Sequence, residues 1–279
     1  MKILITGAHG QLGKELIRQM QDNYTLFLYD VDTLDITDRH AVEQVVAQDK
    51  PDIIINAAAY TNVEKAQEQP QQANVVNAVG AENLARAAKN HQAKLVHIST
   101  DYVFDGNAQV PYEEWNTPSP ISVYGNSKLW GEKLIEQIGG SYFILRTAWL
   151  YGDGNNFVKT MLRLAKDKDE IFVVADQYGT PTYTKDLVKV IEQLMQTDYY
   201  GIYHASNEGS CSWYEFAQVI MKMANQNTRI IPITTDQFSV KATRPQYAVM
   251  NNALLNMRGL NTMRPWQEAL TDYLKNGGV

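Results

Sequence analysis

The sequence has very little cysteine, no long apolar run and no cluster of basic residues. Cys211 is the single cysteine among 279 residues, which excludes an intramolecular disulfide framework, and its position at the start of an apolar-periodic stretch favours ordinary packing. No apolar run approaches the about 20 residues that a membrane-spanning helix needs. Because the net charge is −6 and Lys and Arg do not cluster, a nucleic-acid partner is not expected.

The remaining composition is that of an ordinary globular protein. Hydrophobic residues make up 44% of the chain and charged residues 20%, so a disordered chain is not indicated. The N-terminus passes from Met-Lys directly into an apolar strand, and no signal peptide is predicted. We therefore expect a soluble, cytoplasmic protein with no membrane partner.

The first half of the chain alternates short apolar runs with helical patterns. Strands are predicted at 2–6, 25–29, 53–56, 95–99 and 142–146, and helices up to about residue 20 and near 38–49, 74–90 and 125–138. Strands that are apolar on both faces and separated by helices are typical of a parallel sheet covered on both sides. The pattern predicts an α/β, Rossmann-like, doubly wound sheet.

The order of elements is less regular after residue 147. Helices are predicted at 154–166, 184–196, 212–224 and 266–274, and strands at 171–174, 202–204 and 229–233. No Gly/Ser/Pro linker separates two units. We expect a nucleotide-binding domain at 1–147, to which segments near 180–205 return, and a smaller interwoven substrate lobe in the remainder, 148–279.

A glycine-rich loop lies directly between the first strand and the first helix. Gly7, Gly10 and Gly13 allow a tight turn, close approach of the backbone to a pyrophosphate, and close packing of helix on strand. Free N–H groups and the dipole at the start of the helix favour phosphate. The strand, the spacing and the helix together predict a dinucleotide site rather than a turn without a ligand.

Acidic and small residues follow the next strands, where such a cofactor would lie. Asp30 ends the second strand, where a carboxylate can accept hydrogen bonds from a ribose and repel a 2′-phosphate, which favours NAD over NADP. The alternative is that Asp30 only caps a turn. Asp35 and Ile36 are expected beside the adenine, and the small residues at 57–59 leave room for the cofactor.

A tyrosine and a lysine are spaced to share one helix face. Tyr124 and Lys128 are i and i+4, and Thr100 ends the fourth strand at the same edge of the sheet. Reduction of a ketone needs a proton as well as a hydride, and a free tyrosine is a weak acid at neutral pH. We expect the Lys128 cation to lower the pKa of Tyr124 and to hold the nicotinamide ribose, and Thr100 to donate to the substrate oxygen.

Several motifs together resemble the extended short-chain dehydrogenase/reductases. These motifs are Gly7-x-x-Gly10-x-x-Gly13, the Asn-Ala-Ala-Ala at 56–59, Ser-Thr-Asp-Tyr-Val-Phe at 99–104 and Tyr124-x-x-x-Lys128. Within that group the chain is similar along nearly its whole length to the dTDP-4-dehydrorhamnose reductases. The more specific markers are the segments 146–152, 155–158, 176–182 and 242–245.

This resemblance implies an oxidoreductase that uses NADPH or NADH to reduce the C4 ketone of a dTDP-linked deoxyhexulose, dTDP-4-dehydro-β-L-rhamnose, to dTDP-L-rhamnose. It implies catalytic roles for Thr100, Tyr124 and Lys128. The implied cofactor residues are Gly10, Gln11, Leu12, Asp30, Asp35, Ile36, Ala59, Thr61 and Tyr102, beside the glycines and the Tyr124/Lys128 pair. The implied substrate residues are Thr100, Asp101 and Trp149, with Gln177, Thr180 and Arg244 as candidates for its nucleotide half.

Two alternatives and one open question accompany this interpretation. Regulatory subunits of the same fold bind a nucleotide without turnover, and epimerases or dehydratases regenerate their cofactor in each cycle. The Asp-Glu pair that dehydratases place after the threonine is missing, since Asp101-Tyr102 follows Thr100. Some relatives dimerise around magnesium held by glutamates. Glu15 matches one position and the C-terminal stretch shows no match for the others, so we expect no metal and leave a homodimer open.

Overall fold

The computed structural model describes residues 1–238 and 241–276 and is built around a six-stranded parallel sheet. The strands in these ranges are β1 Lys2–Thr6, β2 Thr25–Tyr29, β3 Ile53–Asn56, β4 Lys94–Thr100, β5 Tyr142–Thr147, β6 Leu150–Tyr151, β7 Glu170–Val174, β8 Tyr178–Gly179, β9 Thr182–Tyr183, β10 Gly201–His204, β11 Cys211–Ser212 and β12 Arg229–Ile233.

Helices cover both faces of the sheet and build most of the second half. They are α1 Gln11–Met20, α2 Arg39–Asp49, α3 Val63–Glu68, α4 Pro70–Asn74, α5 Gly80–Asn90, α6 Val123–Ile138, α7 Phe157–Ala165, α8 Thr184–Met195, α9 Trp213–Met223, α10 Ala253–Met257 and α11 Trp266–Lys275. A π turn at Val75–Val79 joins α4 to α5, and short 3₁₀ turns lie at Asp101–Val103 and Thr235–Gln237.

The strand order is β10-β5-β4-β3-β1-β2, with every neighbouring pair parallel. The chain moves outward from β1 to β2 and then returns to β3 on the other side of β1. In a doubly wound sheet this reversal opens a crevice at the carboxyl ends of the two strands. The predicted doubly wound parallel sheet is confirmed.

The continuous apolar strands are explained by burial on both faces. In β1, Ile3 and Ile5 belong to the core shared with α1 and α8, whereas Leu4 belongs to the core shared with α2 and α5. Neighbouring side chains of a strand point to opposite faces, so both sets must be apolar.

Local capping shifts some predicted boundaries. The helix predicted at 154–166 begins at Phe157, because the Asn156 side chain accepts a hydrogen bond from the Lys159 amide and caps it. The helix predicted from residue 74 to residue 90 starts instead as the π turn. The sequence patterns missed α3, α4, α10 and the two-residue strands.

The second half contributes to two cores. α8 and β10 return to the main sheet, while α7, α9 and α11 surround a separate apolar cluster. The domain division at residue 147 stays a prediction, and its last residues, 277–279, lie outside the described ranges. Within these ranges no helix is long and apolar enough to span a bilayer.

Candidate active site

A cleft of about 720 Å³ opens at the carboxyl edge of the sheet, at the crevice between β1 and β3. Thr100, Tyr124 and Lys128, which the sequence predicts to be catalytic, all line it. The predicted cofactor residues that line it are Gly7, Gly10, Gln11, Leu12, Asp30, Asp35, Ile36, Ala59, Thr61 and Tyr102. The fold thus brings together residues from five separate stretches of sequence, although their roles stay predictions.

The glycine loop has the shape that a dinucleotide requires. Gly7 has a φ of +71°, and a Cβ there would lie 2.6 Å from the Ala58 amide nitrogen. Gly13 lies behind the loop, where a Cβ would collide with the Gly7 carbonyl, so this glycine permits close packing and does not line the cleft. No side chain caps α1, and its first amides can therefore meet a phosphate. These residues fit an NAD(P) cofactor.

Asp30 holds the loop that borders this part of the cleft. Its carboxylate accepts hydrogen bonds from the His9 amide at 2.7 Å and the Val31 amide at 2.8 Å. The turn-capping role considered for Asp30 is therefore present. A carboxylate oxygen has more than one acceptor position, so these bonds leave room for contact with a ribose.

Burial and a neighbouring hydroxyl set the acidity of Tyr124. α6 begins beside it, with the Ser122 side chain accepting from the Gly125 amide at 3.1 Å. Burial raises the pKa of Tyr124 to about 12, the Thr100 hydroxyl acts against this rise, and Asp101 adds to it. The pKa of Tyr124 is therefore raised, whereas the sequence led us to expect that Lys128 would lower it. Tyr124 is consequently a protonated phenol at neutral pH.

Lys128 is anchored away from bulk water. It is 2% exposed, and its Nζ donates to the Ile98 carbonyl at 2.6 Å and lies 3.3 Å from His97 Nε2. Burial lowers the pKa of Lys128 to about 8, while Glu132 acts in the opposite direction. The Lys128 side chain is therefore mostly charged at neutral pH, which lies only slightly below this pKa.

The π turn ties the cleft to the helix of the catalytic pair. Asn77 accepts from the Tyr60 amide at 2.8 Å and donates to the Tyr60 carbonyl and to the Ser127 hydroxyl. Ser127 is next to Lys128 on α6, so Asn77 fixes the cleft loop relative to that helix. Asn77 is not predicted as a site residue from the sequence, since a π turn leaves no simple periodic signal.

Two stacked indoles form one wall of the cleft. Trp149 and Trp213 line it with ring centroids 3.5 Å apart and an interplanar angle of 8°. Trp149 has a φ of +45°, a conformation that is costly for a bulky residue. A Cβ at Gly179 would lie 2.5 Å from the Trp149 ring. Gly179, inside the marker segment 176–182, is thus needed to seat the indole, and Trp213 is a cleft residue that the sequence analysis missed.

The three candidates for the nucleotide half of the substrate lie outside this cleft. Thr180 is fully buried and donates to the Gly209 carbonyl at 2.8 Å, and Gln177 donates to the Thr235 hydroxyl at 3.1 Å. Arg244 pairs with Glu64 at 3.1 Å. Their assignment to substrate stays a prediction, and the observed contacts are within the protein.

Glu15, the residue considered as a magnesium ligand, is buried at 2% exposure and already bonded. Arg18 and Gln19, from the next turn of α1, both donate to its carboxylate. The Glu15 carboxylate is therefore paired with side chains of its own helix.

Comparison with known proteins places the chain in a family. The family model described as RmlD substrate binding domain matches residues 1–278. The chain belongs to this family. Among curated relatives, the spore coat polysaccharide biosynthesis protein SpsK of Bacillus subtilis is 42% identical over 98% of this chain and 97% of its own length.

Solved structures agree with this assignment over the full length of the chain. A dTDP-4-dehydrorhamnose reductase from Clostridium acetobutylicum is 45% identical, with a TM-score of 0.98 and 100% coverage of both chains. The Bacillus anthracis dTDP-4-dehydrorhamnose reductase, solved in complex with NADP, is 46% identical, with a TM-score of 0.97 and 99% coverage of both chains. The Rossmann-like fold predicted from the sequence is shared with these two structures.

Proposed function

We propose that this protein is an NAD(P)H-dependent oxidoreductase that reduces the C4 ketone of dTDP-4-dehydro-β-L-rhamnose and forms dTDP-L-rhamnose. The observation that supports it most is the meeting of Thr100, Tyr124 and Lys128 in one cleft with the glycine loop. The two solved relatives named above are dTDP-4-dehydrorhamnose reductases. The product belongs to nucleotide-sugar, and thereby carbohydrate, biosynthesis.

The cofactor, NADPH or NADH, supplies the hydride when it is bound. Gly7, Gly10 and the first amides of α1 would hold its phosphates, and Lys128 would hold the nicotinamide ribose. The wall formed by Trp149 and Trp213 gives the apolar face of a deoxysugar a surface to pack on.

The proton comes from the protein. During reduction the C4 carbonyl oxygen of the substrate would gain negative charge, and the Tyr124 hydroxyl would donate its proton to that oxygen. The Thr100 hydroxyl donates to Asp101 Oδ1 at 2.9 Å, and by turning from Asp101 to the substrate it would donate a second hydrogen bond to the same oxygen and stabilise the developing charge. The raised pKa of Tyr124, about 12, keeps the donor protonated at neutral pH.

Incubation with dTDP-4-dehydro-L-rhamnose and either reduced cofactor tests this proposal. We expect one cofactor oxidised per ketone reduced, measured by loss of the reduced-nicotinamide absorbance together with product analysis. Cofactor binding without oxidation across dTDP- and UDP-linked ketosugars would indicate a regulatory binding protein. Isomerised or dehydrated sugar without net oxidation would indicate an epimerase or dehydratase.

Lys128→Met tests the proposed roles of the lysine in the Tyr124/Lys128 pair. Because the lysine both holds the ribose and places a charge beside the phenol, we expect a lower kcat and a higher KM for the cofactor. Steady-state kinetics with varied cofactor separate the two effects. An unchanged KM would remove the ribose contact from the proposal and leave only the electrostatic role.

A further inference from the structure

A row of buried polar side chains crosses three neighbouring strands behind the catalytic pair. Thr6, Asn56 and His97 occupy matching register positions on β1, β3 and β4, and each is 1% exposed. Polar side chains at such depth are stable only where hydrogen bonds satisfy them. The bonds of this row therefore determine which atoms carry protons.

The orientation of the Asn56 amide is fixed by a backbone donor. The Ala58 N–H donates to Asn56 Oδ1 at 3.1 Å, and the Thr6 hydroxyl donates to the same oxygen at 2.9 Å. A backbone N–H has no acceptor role, so the atom facing it must be the amide oxygen. The other amide atom, Nδ2, is a donor and lies 3.0 Å from His97 Nδ1.

This donor selects the tautomer of His97. Nδ1 must accept the hydrogen bond from Asn56, and a neutral imidazole with an accepting Nδ1 carries its proton on Nε2. A charged imidazolium would present a donor at both nitrogens and would oppose the Asn56 amide. In agreement, burial and the neighbouring Lys128 lower the pKa of His97 well below 6.5.

The Nε2–H of His97 then faces the catalytic lysine across 3.3 Å. An ammonium group has three donors and no acceptor, whereas a neutral amine has one lone pair that can accept. We propose that His97, oriented by Asn56, is a positioning residue that disfavours the ammonium form of Lys128 and favours its neutral amine. The effect of His97 on the pH profile of kcat rests on the proposed reaction, whereas the tautomer of His97 does not.

Other groups around Lys128 also influence whether its side chain is protonated. Glu132 lies one turn further along α6 and forms a buried ion pair with Arg146 of β5, at 2.7 Å. Glu132 stabilises the ammonium, burial opposes it more strongly, and Tyr124 on the same helix is a neutral phenol at neutral pH. The ammonium is thus present below a pKa of about 8 and lost above it. Because the proposed reduction needs the Lys128 ammonium, kcat should decline as the pH rises through that value.

Two variants test the arrangement through the pH profile of kcat. In His97→Gln the side-chain carbonyl can accept from the ammonium, and in Asn56→Ala the imidazole is free to turn its lone pair to Lys128. We expect both to move the alkaline limb upward by about one pH unit. Thr6→Val is the matched control, because the Ala58 N–H still orients Asn56 and the limb should stay in place. An unmoved limb in both variants, or an equal shift in Thr6→Val, would overturn the proposal.

Nitrogen NMR of the full-length, histidine-labelled protein gives a second readout, with His97→Gln used to assign the signals. We expect a neutral His97 ring at neutral pH, protonated at Nε2 and unprotonated at Nδ1. The opposite tautomer or a charged ring would contradict the inference. This experiment needs neither substrate nor cofactor, so the expected tautomer combined with no ketone reduction would reject the proposed function alone.

Discussion

Tyr124 and Lys128 lie on one face of α6, but burial acts on their pKa values in opposite directions. It raises the pKa of the phenol to about 12 and lowers that of the amine to about 8. The charged form of each group is the one that loses solvation, which explains the opposite signs. Near neutral pH this leaves a protonated phenol and a cation on the same helix face, the pair that the proposed ketone reduction uses.

At the residue scale, Tyr124→Phe removes the proton donor while keeping the ring. We expect kcat to fall roughly 10²- to 10⁴-fold, the usual contribution of a positioned acid, with little change in cofactor affinity. Tyr29→Phe is the control, since the Tyr29 hydroxyl bonds Asp49 and lies outside the cleft. Near-normal turnover by Tyr124→Phe would reject Tyr124 as the proton donor.

Asp30→Ala tests whether this carboxylate contacts the ribose. Removing the charge should improve NADPH relative to NADH, by about tenfold in the ratio of kcat/KM values if one repulsion of about 1.4 kcal/mol is lost. Asp22→Ala is the control, since it removes an exposed carboxylate before the start of β2, at the opposite end of that strand and outside the cleft. Equal ratios in both variants would mean that Asp30 only caps its turn.

At the scale of single elements, the apolar pattern was sufficient where an element buries a continuous apolar surface. The apolar pattern of residues 2–6 predicts β1 because both faces of that strand are buried. The start of α7 depends instead on a hydrogen bond made by Asn156, and the π turn depends on the contacts of Asn77 with Tyr60 and Ser127. Such boundaries are determined by particular side chains and have no periodic signature.

The capping box of α9 gives a prediction at this scale. Ser212 accepts from the Glu215 amide at 3.1 Å, and the Glu215 carboxylate accepts from the Ser212 amide at 2.7 Å. Ser212→Ala should lower the free energy of unfolding by about 1 kcal/mol. Urea denaturation measures this loss, and Ser210→Ala, at an exposed neighbouring position, should show almost none. Similar values for both variants would show that the cap adds nothing.

At the scale of the whole molecule, two apolar cores are joined by partly buried ion pairs. Arg264 donates to Asp186 of α8 at 2.8 Å and to Asp272 of α11 at 2.6 Å. α8 packs on the main sheet with α1, whereas α11 belongs to the separate apolar cluster that it forms with α7 and α9. The ion pairs therefore connect two cores that the chain forms from interleaved segments.

Arg264→Met should weaken this connection strongly. Asp186 is 1% exposed and would keep a buried charge without its guanidinium partner, a change that costs about 3 kcal/mol. Arg229→Met is the control, because the Arg229 side chain is 73% exposed in its pair with Glu170 and such pairs contribute about 1 kcal/mol or less. Chemical denaturation compares the two, and equal losses would contradict a joining role for Arg264.

The sequence by itself determined the parallel sheet, the glycine loop and the shared face of Tyr124 and Lys128. These features follow from local spacing, since strand and helix periods place side chains without reference to distant segments. Only the tertiary structure decided that Trp213 stacks on Trp149, that Arg244 meets Glu64 and that His97 faces Lys128. Those pairs are separated by many residues, and the packing of distant strands, helices and loops, rather than any local pattern, brings them into contact.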